Sequence, residues 1–201
     1  MTPAAALGTV LLAYLPAAIS PGPNFVLIAH TAAAGSRRAA VAVALGVVAA
    51  GGLLAAVAVF GLGALLAREP WLAVGLRIVC GAYLAWLGVR LWLTANRPES
   101  APPAARGNAF RRGVLSNLTN PKAAAFFGSV LTAALPPTEP AAVKAAAVAL
   151  IVAASAAWHL SVALLFSSPS TQRWYARAKP ALNRVVGTIL LALGVTLAIT
   201  P

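Results

Sequence analysis

Six apolar stretches, each long enough for the about twenty residues a helix needs to cross a bilayer core, leave this chain few choices of fold. They run roughly over residues 4–34, 39–66, 70–93, 110–134, 143–166 and 181–199. Within hydrocarbon every backbone donor and acceptor must be satisfied inside the protein, so a spanning segment is a helix or part of a closed barrel, and uninterrupted apolar runs of this length read as helix. The expected class is therefore an all-α membrane protein with six transmembrane helices. Composition agrees: 9% of the residues are charged, against about 25% in soluble domains.

Fifteen Lys and Arg stand against three acids, Glu69, Glu99 and Glu139, with no Asp. Such a balance invites a nucleic-acid partner, but the cations sit between the apolar runs, where they set orientation in the bilayer instead. Arg37 and Arg38 lie in the first connection. Arg97 and Arg106 lie in the third, followed by Arg111 and Arg112. Arg173, Arg177 and Lys179 lie in the fifth, followed by Arg184. The second and fourth connections offer only Arg68 and Lys144, near Glu69 and Glu139. The positive-inside rule then places connections one, three and five in the cytoplasm and both termini outside. Residues 1–36 hold no Lys or Arg, so the first run lacks the basic start of a cleaved leader and is expected to be retained.

Two of the six runs are broken. Pro21-Gly22-Pro23-Asn24 interrupts the first and Asn120-Pro121-Lys122 the fourth. Proline removes an amide donor and clashes with the preceding turn, and glycine admits non-helical backbone, so the helix stops at these points. At membrane depth a broken helix is tolerated only beside protein or a water-filled cavity, and paired breaks in the two halves of a chain point to a transporter's midplane site. A helix restarting near Pro23 would present free amides to an anion. Asn24 is placed to orient a substrate, with Asn117 and Asn120 as further polar groups at the second break. Lys122 lies about 15 Å of helix beyond the basic interface at Arg111 and Arg112, too deep to reach water easily. It is expected to hold a carboxylate.

Other embedded polar groups are few. Arg77, near the outer end of the third run, reads either as a snorkelling cation or as part of an outer gate. His30 and His159 are candidates for proton coupling, although a single intramembrane imidazole also serves simply as a hydrogen-bonding group between helices. With no carboxylate in the membrane interior, acid–base enzymology and a divalent-metal site lack their usual ligands. Cys80 has no partner cysteine. No enzyme activity, cofactor or resident metal is expected.

The halves carry a trace of repetition. Val79–Leu91 reads VCGAYLAWLGVRL and Val185–Leu197 reads VVGTILLALGVTL, with Gly81, Leu84, Leu87 and Gly88 matching Gly187, Leu190, Leu193 and Gly194. Three spans per unit is an odd number, so a second copy must lie inverted, with a pseudo-twofold axis in the membrane plane. The units are 1–94 and 110–201, joined by a cytoplasmic linker over 95–109 rich in Pro and polar residues. Ala42, Gly46 and Ala50, and Gly52 with Ala56, give helix two small-residue stripes that permit close packing and a homodimer.

These motifs together resemble the LysE/RhtB family of bacterial amino-acid exporters. The resemblance rests on Ser20-Pro21-Gly22-Pro23-Asn24, on Gly35 followed by basic residues and Gly46, and on Gly81-Ala82-Tyr83-Leu84-Ala85-Trp86-Leu87-Gly88. It continues through Phe110–Gly113, Asn117-Leu118-Thr119-Asn120-Pro121-Lys122 with Phe126-Phe127, and Gly187–Gly194. It implies export of amino acids or close derivatives across the inner membrane, driven by the proton gradient. Ala39 and Pro137-Thr138 depart from the family pattern but touch neither break. The missing acids favour neutral amino acids over Lys or Arg as cargo. Two other classes stay open at this point: an ion or metal transporter or channel of the wider superfamily, and a membrane assembly subunit without transport of its own.

Overall fold

The computed structural model describes residues 2–19, 21–34, 36–97, 107–135 and 138–199. Ser20, Gly35, Pro136-Pro137 and linker residues 98–106 lie outside them. All regular structure in the described residues is helical. Helix α1 (Pro3–Ile19) and α2 (Pro23–Ala33) meet at 53°. Helix α3 (Arg37–Ala56) passes through a π-helical stretch, Val57–Leu62, into α4 (Gly63–Arg68). Helix α5 (Pro70–Leu93) follows. The fourth apolar run is divided into α6 (Ala109–Leu118), α7 (Pro121–Ala125), a π-helical stretch Phe126–Val130 and α8 (Leu131–Ala134). Helices α9 (Ala141–Leu165) and α10 (Pro169–Ile199) close the chain.

Helix ends follow the local chemistry. Gly22 is fully extended and Pro23 takes the first helical position of α2, where a missing amide costs nothing. Ser36 Oγ accepts from the Ala39 amide at 3.3 Å to start α3. Asn108 Oδ1 accepts from Phe110 N at 2.9 Å to start α6, and Asn120 Oδ1 from Lys122 N at 3.0 Å to start α7.

Four helical segments are long and apolar enough to cross a bilayer: 37–62, 71–93, 141–165 and 169–199. The bent pair α1–α2 makes a fifth if taken as one crossing. The fourth predicted run reaches bilayer length only as the summed pieces α6 to α8. The sixth begins earlier than hydropathy indicates: α10 starts at Pro169, runs through Pro180, and carries Arg173, Arg177 and Lys179 in its first turns. The fifth connection is thereby reduced to Phe166–Ser168. Hydropathy marks where side chains leave the apolar region, whereas the backbone continues as helix past that boundary.

Glycines set the closest helix contacts. A Cβ on Gly81 would lie 2.7 Å from the Gly194 carbonyl oxygen, and one on Gly88 2.5 Å from that of Gly187, so α5 and α10 run antiparallel with their backbones nearly touching. A Cβ on Gly46 would overlap the Phe110 carbonyl, and one on Gly113 that of Val43, while Asn117, further along α6, reaches Val47 and Gly51, further along α3, so the two helices lie side by side in the same direction.

Buried apolar residues form two clusters. One holds the start of α1 (Ala6, Val10), the end of the α3 crossing (Ala58, Val59), Leu131 and Leu135, the start of α9 (Val143, Ala147) and Leu197 near the end of α10. The other holds the start of α3 (Ala40, Val43, Ala44), the C-terminal end of α9 (Val162, Ala163, Phe166) and α2 residues Phe25, Ile28 and Ala32, with Ala109 and Tyr175 packed against it. Helix α3 thus runs from the second cluster to the first, and α9 from the first to the second. Both helix breaks fall between them.

Candidate translocation site

At that level lies a cavity of about 490 Å³, counted to its open mouth. Gly22 and Asn24 from the first break and Asn117, Asn120 and Lys122 from the second line it together. Tyr14, Phe25, Phe126, Phe127, Ser155 and His159 complete most of the wall.

The two breaks are joined directly. Asn24 Nδ2 donates to Asn117 Oδ1 at 2.9 Å, and Ser116 Oγ donates to Asn24 Oδ1 at 2.8 Å. Asn117 Nδ2 donates in turn to the Val47 carbonyl at 2.9 Å, tying α3 into the same relay. Asn117 is 5% exposed, so its two bonds satisfy groups that would otherwise be stranded without water. Gly51 leaves room for the last bond: a Cβ there would stand 3.3 Å from Asn117 Nδ2, a tight contact. Asn24 therefore has both ends of its amide engaged with α6.

Lys122, half-buried in the first turn of α7, is the only Lys or Arg among the described residues that lines the cavity. Across from the breaks, His159 on α9 is 5% exposed, with Nδ1 2.9 Å from the Ser155 carbonyl oxygen and 3.1 Å from Ser155 Oγ. Tyr14 from α1 and Ser155 from α9 line the same cavity, so the two helices share this corner. Aromatic rings bound the cavity. Tyr14 and Phe126 meet edge to face with centroids 5.5 Å apart, and Phe126 meets Phe127 at 5.2 Å. Phe25, also in the wall, is backed by Phe166 at 5.3 Å and Tyr175 at 4.9 Å, and stacks on Trp158 at 6.4 Å.

Not every candidate residue reaches the cavity. Pro21, Pro23 and Pro121 shape the breaks but do not line it. Arg77 lies on α5, away from the cavity, with Nε buried and no hydrogen-bond partner among the described residues. His30 is exposed in the last turn of α2. Conversely, Tyr14, Phe25 and Ser155 line the site without having been singled out. The i, i+4 spacing of Ser155 and His159 was the available signal for one of them, since it puts both on one helical face.

The family model described as LysE type translocator matches residues 15–200. The "Threonine efflux protein" of Escherichia coli (strain K12) is 32% identical over 199 residues, covering 96% of this chain and 97% of that protein. Its Salmonella typhi counterpart matches to the same extent. The "Homoserine/homoserine lactone efflux protein" of Salmonella typhimurium is 30% identical over 125 residues, 61% of either chain. No solved structure matches.

Proposed function

The chain belongs to the LysE type translocators, and from that premise we propose that it exports amino acids from the cytoplasm of a bacterial cell, with small neutral amino acids preferred and the proton gradient as driving force. The observation that carries the proposal is the Asn24–Asn117 bond: two helix breaks far apart in sequence converge on one polar-lined cavity, and such convergence is what a midplane substrate site requires.

In this account the bilayer is crossed six times, with α1–α2 as the first crossing and α6–α8 as the fourth. The two three-span units are related by an inverted repeat. Support comes from the α5–α10 contact, where Gly81 faces Gly194 and Gly88 faces Gly187. Exchanging the matched positions 81 with 187 and 88 with 194 turns each contact into the other, as a pseudo-twofold axis demands. The basic ends of α3, α6 and α10 face the cytoplasm. Rocking one unit against the other exposes the cavity to each side in turn.

Lys122 binds the substrate carboxylate. The Asn24–Asn117 relay holds the two breaks in register around it. No carboxylate lines the cavity among the described residues, which leaves a cationic side chain without a counter-charge and favours neutral cargo. His159 is the group positioned to take part in proton coupling; Arg77 and His30 would act only outside the cavity. The relatives' names, threonine and homoserine efflux, agree with small neutral cargo. Cells loaded from dipeptides and expressing the chain should lose threonine, homoserine or leucine faster than cells with an empty vector. Efflux of lysine alone would refute the neutral preference, and no change for any amino acid despite membrane insertion would refute export.

A further inference from the structure

An amino acid brings an ammonium as well as a carboxylate, and among the described residues the cavity offers that ammonium no acid. The neutral acceptors can be taken one by one. Asn24 Oδ1 already accepts from Ser116, Asn117 Oδ1 from Asn24, and Asn120 Oδ1 from the Lys122 amide, which leaves each of them only its second lone pair. The Ser155 hydroxyl lies 3.1 Å from His159 Nδ1. His159 is different. Its Nδ1 lies 2.9 Å from the Ser155 carbonyl oxygen, which can only accept, so in the neutral ring the proton sits on Nδ1 and Nε2 carries a lone pair. No donor among the described residues reaches Nε2. Nearby, Ala17 and Ala18 bring the last turn of α1 to the cavity wall. The final carbonyls of a helix have no amide of their own helix to bond, and that end carries partial negative charge.

We propose that His159 Nε2, with the terminal carbonyls of α1, forms the ammonium subsite of the cavity, opposite the carboxylate subsite at Lys122. Ser155 is the positioning residue, because its carbonyl fixes the tautomer. The inference rests on the amino-acid reading above and adds the demand that cargo carry an amino group. The site then reads the zwitterion from two ends, leaving the aromatic walls to judge the side chain.

The test uses full-length protein in nanodiscs and two probes: L-threonine, and the 2-hydroxy acid in which a hydroxyl replaces its ammonium. Wild type should bind threonine about tenfold or more tightly than the hydroxy acid, as expected for a hydrogen bond to a charged group. In His159→Leu that ratio should fall to within about threefold of unity, while His159→Gln, which keeps an acceptor oxygen near the Nε2 position, should retain most of it. Independently of any variant, the Nε2 resonance of nitrogen-labelled His159 in wild type should move on addition of threonine and not of the hydroxy acid. An undiminished ratio in His159→Leu, its loss in His159→Gln, or an unmoved resonance with threonine bound would overturn the subsite and leave export standing. Failure of wild type to bind threonine, homoserine, leucine or any other amino acid offered would overturn both.

Discussion

Asn24 and Asn117, 93 positions apart in sequence, share a 2.9 Å hydrogen bond between their side-chain amides. Because Asn117 also donates to the Val47 carbonyl, its orientation is fixed: the amide nitrogen faces α3 and the oxygen faces Asn24. Asn24 must therefore present its nitrogen to Asn117 and its oxygen to Ser116, as observed.

That orientation makes Asn24→Asp a severe change despite its near-identical shape. A carboxylate cannot donate to Asn117 Oδ1, so two acceptors would face each other at the centre of the relay. Leaving a buried partner unsatisfied costs about 1–3 kcal/mol, more with charge involved. Efflux should fall at least about tenfold, with Asn117→Leu similarly impaired; initial efflux rates normalised to membrane-inserted protein give the comparison.

Lys122→Ala should abolish efflux while leaving insertion intact, since it removes the cavity's cation and no hydrogen bond of the Asn24–Asn117 relay. Lys122→Arg should keep partial activity, because the charge is retained on a bulkier, planar head. A fully active, well-expressed Lys122→Ala protein would remove Lys122 from the substrate path.

Glycine substitutions should separate by contact rather than by helix. Gly88→Val and Gly187→Val drive a side chain into the facing carbonyl, and overpacking of this kind costs about 1–3 kcal/mol or more. Gly8→Ala meets nothing within 4 Å and should be neutral or slightly stabilising. Thermal melting of detergent-purified variants, followed by size-exclusion monodispersity, distinguishes the two groups.

The proposed orientation predicts that, in a Cys80→Ala background, Ser170→Cys at the start of α10 is labelled only by reagents that reach the cytoplasm, and Thr2→Cys by impermeant reagents added outside. The opposite pattern would invert the molecule in the membrane and turn export into a question of import.

The helix breaks were legible in the sequence because proline and glycine act on the backbone where they stand. Pro23 and Pro121 each open a helix, and Asn120 caps one as its type suggests. The start of α10 was not legible: Arg173, Arg177 and Lys179 lower hydropathy without stopping the helix, and even Pro180 is carried within it. Gly81, Gly88, Gly187 and Gly194 stood out as a repeated pattern, yet their mutual contact across α5 and α10 depends on how two distant helices meet. The cavity wall was least legible. Tyr14 and Phe25 belong to it because of the 53° turn between α1 and α2, and Arg77 falls outside it because α5 turns that side chain elsewhere. A linear pattern fixes where a helix stops more readily than which face it shows after the chain has bent.

The central claim is that the cavity between the two breaks carries an amino acid across the membrane, and its most direct measurement is transport by purified protein in proteoliposomes. Vesicles loaded with radiolabelled threonine, with an imposed pH gradient, should release it several times faster with the wild-type chain than with Lys122→Ala or Asn24→Asp, and lysine should lag behind threonine. Equal release from all three proteins and from protein-free vesicles, with reconstitution verified, would contradict it.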